Sequence, residues 1–208
     1  DLIRSRGLGD VYKRQIANYM TLLGWSVPEG MEERFTLTQA AEVFSFDRVN
    51  KAGARFDWDK LNWLNAQVLH GLTPQQLLDD ISPLWREQGW NLPEDVSWSL
   101  ALCELLGPSL TLLNDGVDQG RPFFVCPELE HDGLKQLEAD GAKVAIAQLV
   151  KSLESDPWDG GDTTEAQSLL ADAANKAGVK KGVLMKSLRA ALLGRLQGPD
   201  LITTWSLL

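Results

Sequence analysis

Between Lys176 and Arg195 the chain carries Lys176, Lys180, Lys181, Lys186, Arg189 and Arg195, and no acid. Cations gathered in this way are suited to neutralising phosphate. Lys176 has an ordinary explanation, since it falls in the last turn of a helical pattern where positive charge is favoured. Lys180 and Lys181 have no such explanation. They stand just before Gly182, where the next helical pattern opens and the peptide dipoles already place positive charge. Cations at that end repel it until an anion arrives, so the spacing describes a phosphate site. Lys186 and Arg189 are three residues apart and share a helix face opposite Leu184, Leu188 and Leu192. Arg189 can engage a phosphate with a two-pronged fork or read a base edge, whereas lysine acts as a point charge. Charge alone leaves two readings level, a solvated basic face and a phosphate-gripping one.

Other chemistry finds less support. Asp79 and Asp80 are adjacent, and Asp156, Asp159 and Asp162 lie in a Trp-Gly-Gly loop. That loop lacks the ligand spacing and the closing bidentate glutamate of a calcium site, so its acids are expected to be solvated. His70 precedes Gly71 at a helix end, where a histidine suits the dipole, and His131 sits between Glu130 and Asp132. Cys103 and Cys126 form no CxxC pair and have no histidine nearby, which disfavours both zinc and a disulfide. Gly107-Pro108-Ser109 lacks the strand–serine–helix setting of a nucleophile elbow. No metal and no resident cofactor are expected on this chain.

The elements that must position the basic residues are helical. The chain has 208 residues, 44% hydrophobic and 24% charged, with a formal net charge of −9. The acidic total argues against a general polyanion binder but allows a local basic patch. No apolar run approaches the roughly 18 residues of a membrane span. Thr36-Leu37-Thr38-Gln39 and Thr73-Pro74-Gln75-Gln76 have capping-box spacing, the second with proline at the first helical position. Trp58, Leu61, Leu64 and Val68 recur at helical spacing after Asp57 and are expected to form a buried stripe. Further helices are expected over about 95–106, from about 128, through Ile146 to Leu153, over 163–178, and over 184–193 and 199–207. Alternating strand patterns are almost absent. The fold class is therefore all-α, with two helical subdomains, 16–107 and 108–208, meeting at a hinge near 107–125. Residues 1–15 differ in character, and GLGDVYKRQ resembles a translated sequencing adapter. This segment is set aside as foreign to the fold and disordered, with the first helix expected from Ile16 to about Gly24.

Three segments then carry a resemblance. They are Asn18-Tyr19-Met20-Thr21-Leu22-Leu23-Gly24-Trp25, then Arg48-Val49-Asn50-Lys51-Ala52-Gly53-Ala54-Arg55-Phe56-Asp57 with Lys60-Leu61-Asn62-Trp63-Leu64-Asn65, and last Gly182 to Gly194 with Gly198-Pro199-Asp200-Leu201. In this order they resemble the C-terminal part of bacterial glutamyl-tRNA synthetases. The resemblance implies a helical connector domain followed by an anticodon-binding helical domain. It implies tRNA(Glu) as partner, with tRNA(Gln) left open; a monomer is expected, and the solitary cysteines fit a reducing, cytoplasmic setting. The full-length enzyme would use ATP and magnesium to attach glutamate. The family's His-Ile-Gly-His-like and Lys-Met-Ser-Lys-Ser-like motifs do not occur in this sequence, so no adenylation is expected on this chain alone.

The resemblance tips the basic face, with Lys180, Lys181, Lys186, Arg189 and Arg195, toward tRNA. A glutaminyl-tRNA synthetase is disfavoured, because its anticodon region is built of β-barrels and no strand runs appear here. The rival reading is a non-enzymatic helical module that binds another protein through an apolar groove.

Overall fold

A computed structural model describes residues 8–51 and 53–208. Eleven α-helices are seen among them, and the extended pairing amounts to one isolated antiparallel bridge between Trp25 and Val49. The class is all-α. The chain opens with α1 (Leu8–Gly24), which starts before the expected Ile16. Residues 8–15 are thus helical rather than disordered, and Gln15 is buried; residues 1–7 lie outside the described residues. Asn18 shows why this helix is anchored. It is buried, its side chain donates to the Glu33 carbonyl at 2.9 Å, and it accepts from the Phe35 N–H at 3.3 Å.

The cap signals appear where the residues place them. Thr36 opens α2 (Leu37–Val43) with a reciprocal capping box to Gln39. Asp57 accepts from the Asp59 and Lys60 N–H groups at the start of α3 (Trp58–His70). Thr73 and Gln76 form a second capping box ahead of α4 (Pro74–Glu87), whose first residue is Pro74. Asp95 caps α5 (Val96–Leu106). Each cap satisfies N–H groups that have no partner within the helix. The stripe on α3 differs from expectation at both ends, and at the far end Val68 is only partly buried while Leu69 is buried. Leu61 and Leu64 are buried, but Trp58 is 66% exposed. It occupies the first turn and rests edge-on against Phe56, with ring centroids 4.7 Å apart, so the buried face begins three residues later.

The stretch after Gly107 is core rather than hinge. A turn of 3-10 helix at Gly107–Ser109 leads into α6 (Asp115–Gly120) and a second such turn at Arg121–Phe123. Leu110 is fully buried with Ile81, Trp85, Leu102 and Leu106, and Leu113, Val117, Phe123, Phe124 and Val125 pack on the same cluster. The expected division at 107/108 falls inside this cluster. The reason is geometric. Gly116 has no side chain, and a Cβ there would overlap Ile81, so α6 can lie directly on α4. The Trp85 indole then donates to the Gly116 carbonyl at 2.9 Å. The packing break comes at 126–130.

The second bundle comprises α7 (His131–Glu138), α8 (Ala142–Ser155), α9 (Thr163–Lys176), α10 (Lys181–Leu193) and α11 (Leu201–Leu207). Its core is built from Leu149, Leu170, Leu184 and Leu188 with small Ala145, Ala166, Ala173 and Ala174, which let the helices approach closely. The loop carboxylates have local tasks. Asp162 accepts from the Thr164 N–H at 2.7 Å and caps α9, and Asp159 accepts from the Gly161 N–H at 2.9 Å. The two bundles are fastened together by α11, because Leu207 packs on the first core and its carbonyl accepts from the Trp98 indole at 2.8 Å.

Both cysteines are free. Burial pushes the Cys103 thiol up to about 12, whereas Cys126 is exposed in the stretch between the bundles. The thiolate is the reactive form. Iodoacetamide at neutral pH is therefore expected to add once to the native chain, at Cys126, and twice in denaturant. Peptide mass spectrometry checks this, and native labelling of Cys103 would show that α5 opens readily.

Candidate nucleic-acid interface

The basic segment begins where α9 ends. Gly178 takes a left-handed φ of 69° after the Ala177 cap, and the Val179 N–H closes on the Ala174 carbonyl at 3.0 Å. This turn delivers Lys180 as the residue that precedes α10, in extended conformation and without a side-chain cap. Lysine has no acceptor to offer the first N–H groups of a helix. Gly182 is exposed, and nothing lies within 4 Å of the position its Cβ would take. The start of α10, one residue before the expected Gly182, thus presents backbone donors and open space beside Lys180.

The five predicted residues divide into two groups. Lys180 and Lys186 are exposed. Lys181 lies back along α9 and donates to the Gln167 carbonyl at 3.2 Å. The two arginines are not on a solvated face. Arg189 is partly buried, and its Nη1 donates to the Pro199 carbonyl at 2.6 Å, tying α10 to the turn before α11. Asp200 caps α11, and its carboxyl is held below the usual range chiefly by the Thr203 N–H, with burial opposing and the Arg189 charge assisting. Arg195 follows Gly194, and its Nη1 lies 3.8 Å from Glu130 Oε1. Sequence spacing places Lys186 and Arg189 on one face, but it carries no sign that the chain returns at Pro199 to occupy the guanidinium.

Arg189 therefore has a structural task whatever else it touches. Arg189→Ala is expected to lower stability by about 1.5–3 kcal/mol, the scale for a hydrogen bond from a charged donor. Urea denaturation checks this, and a change under 0.5 kcal/mol would return Arg189 to a purely surface role.

A cavity of about 380 Å³ opens between the bundles, lined by Arg121, Pro122, Glu128, Glu130, Leu193 and Arg195 among others. The residue pattern marks Arg121-Pro122 only as a corner, so its facing of Arg195 across 74 residues of chain is a tertiary result.

The comparisons with known proteins settle the family. A family model described as an anticodon binding domain matches residues 76–208. The chain belongs to that family. The chain is 78% identical over 193 residues to a glutamate–tRNA ligase of Parasynechococcus marenigrum, which covers 93% of the chain and 40% of that protein. It is 70% identical over the same length to one from Prochlorococcus marinus. It thus spans about 40% of the length of these relatives. A glutamate–tRNA ligase crystal structure from Elizabethkingia meningosepticum, in complex with its amino acid, shares the fold. Its TM-score is 0.80 at 24% identity, covering 93% of this chain and 38% of that one. No described helix is long and apolar enough to cross a membrane.

Proposed function

We propose that this chain is the tRNA-recognising part of a glutamate–tRNA ligase. It holds the anticodon arm of tRNA(Glu) so that a catalytic part, not contained in these 208 residues, attaches glutamate. ATP and magnesium would serve that other part, since this chain carries neither ATP-handling motif. The single observation that carries the reading is the match to an anticodon-binding family over 76–208. The exposed Lys180 and Lys186 on either side of the open start of α10 agree with it. The assembly is read as monomeric and cytoplasmic, and tRNA(Gln) stands as a second candidate partner.

The residues act here by binding alone. Lys180 and the free N–H groups of α10 attract a backbone phosphate, with Lys181 adding charge from its position against α9. Lys186 lies one and a half turns further along and meets a neighbouring phosphate. Lys180→Ala and Lys186→Ala are each expected to weaken every tRNA alike and to reduce the salt slope of binding by about one charge. Fluorescence anisotropy with tRNA(Glu) and an unrelated tRNA across a salt series checks both. Affinity and slope unchanged in the double variant would remove α10 from the interface. Binding to a protein partner that ignores salt, with none to tRNA, would favour the helical-adaptor reading instead.

A further inference from the structure

Residues 126–130 join the bundles, and an arginine approaches them from each side. Arg121 ends the first bundle, with Nη2 3.3 Å from Glu128 Oε1. Arg195 belongs to the second, with Nη1 3.8 Å from Glu130 Oε1. Both arginines line the junction cavity. The carboxylates that face them are loosely held, since the side chains of Glu128 and Glu130 are 88% and 59% exposed. Ion pairs of that exposure bind weakly, and 3.8 Å is beyond a normal hydrogen bond.

Arg195 itself is well placed. Its backbone is fixed where the Glu130 N–H donates to the Gly194 carbonyl at 2.8 Å, and its side chain is only 26% exposed. Its Nε is enclosed and finds no acceptor among the described residues. Enclosed donors of this kind are uncommon in folded proteins. A guanidinium so fixed, with one donor unused and another on a distant carboxylate, is matched to an anion that can offer two oxygens side by side to its fork.

We propose that this cavity is a phosphate clasp. A backbone phosphate of bound RNA replaces Glu128 and Glu130 on Arg121 and Arg195, and so grips both bundles at once. The inference rests on the tRNA reading above. RNA is favoured over free phosphate by what surrounds the arginines. Glu128, Glu130 and the neighbouring Asp118 repel a lone anion, so the phosphate must be delivered by a polymer already held elsewhere, as at Lys180 and Lys186. Pro122 and Leu193 supply an apolar wall that suits the sugar beside it.

The test is anisotropy titration of labelled tRNA(Glu) with the intact chain over a salt series. Arg121→Gln is expected to weaken binding about tenfold and flatten the salt slope by about one charge. Arg195→Gln should do the same. The double variant Glu128→Gln, Glu130→Gln should tighten binding severalfold, and more than Glu104→Gln, an exposed acid removed from α5. Arg195→Gln can also loosen the fold, so the decision rests on the exposed Arg121 and on the glutamates. Unchanged affinity and slope in Arg121→Gln, or a glutamate double variant no tighter than Glu104→Gln, overturns the clasp while leaving the tRNA reading intact. A wild-type chain that binds no tRNA overturns that reading and the clasp together.

Discussion

Trp85→Ala is expected to cost about 3–5 kcal/mol, the scale for truncating a buried large aromatic. Trp85 has no solvent exposure and lies in the cluster with Ile81, Leu102, Leu106 and Leu110. Its ring also meets Phe124, with centroids 5.3 Å apart, and its indole holds the Gly116 carbonyl. Removing it opens a cavity and leaves that carbonyl without its donor, so α6 loses both its packing and its tether. In domains of this size each kcal/mol moves the melting temperature by about 2–4 °C, which places the expected drop at roughly 6–20 °C. Thermal unfolding followed by circular dichroism reads this directly. A drop under 3 °C would mean that α6 and the turns around it contribute little to the first bundle.

Gly194→Ala is expected to be nearly as severe, at about 2–4 kcal/mol. Two costs combine. Gly194 has a φ of 74°, a left-handed conformation that a side chain resists. Its added Cβ would also overlap the Glu128 carbonyl, which is backbone and cannot swing aside. The change strikes the place where the inter-bundle stretch is stitched to the end of α10, through the Glu130 N–H and the Gly194 carbonyl. The loss should appear as a lower midpoint in urea, and on the proposed clasp also as weaker tRNA binding, because Arg195 is carried on the displaced backbone. Wild-type stability in this variant would show that the junction is more adaptable than its close contacts imply.

Local signals in the sequence read well because they act over three or four residues. Thr36 with Gln39, Thr73 with Gln76, and Asp57 and Asp95 at helix starts are all satisfied by neighbours in the chain. The opening of α10 was legible to within one residue, expected at Gly182 and found at Lys181. What was not legible depends on distant approach. Residues 110–125 contain Gly, Asp and Pro punctuation and read as a hinge, yet Gly116 exists to let α6 touch Ile81, 35 positions earlier. Trp58 fits the period of α3, but it lies in the first turn against Phe56 and stays 66% exposed. The basic face was legible as composition only. Whether Arg189 and Arg195 are free is decided by Pro199 and Glu130, and no periodicity reports those contacts.

The contact between the Trp98 indole and the Leu207 carbonyl spans 109 positions of chain. Such a contact cannot form until almost everything between its ends is in place, since the entropy of closing so large a loop must be met before the contact contributes. Much of the other packing joins helices that are neighbours in sequence, as α4 with α5 and α8 with α9, and such contacts form quickly. The docking of α11 onto α5 is therefore expected to come late in folding, as the step that turns two fast-folding bundles into one cooperative body. Substitutions at Trp98 should accordingly leave the refolding rate almost unchanged and accelerate unfolding.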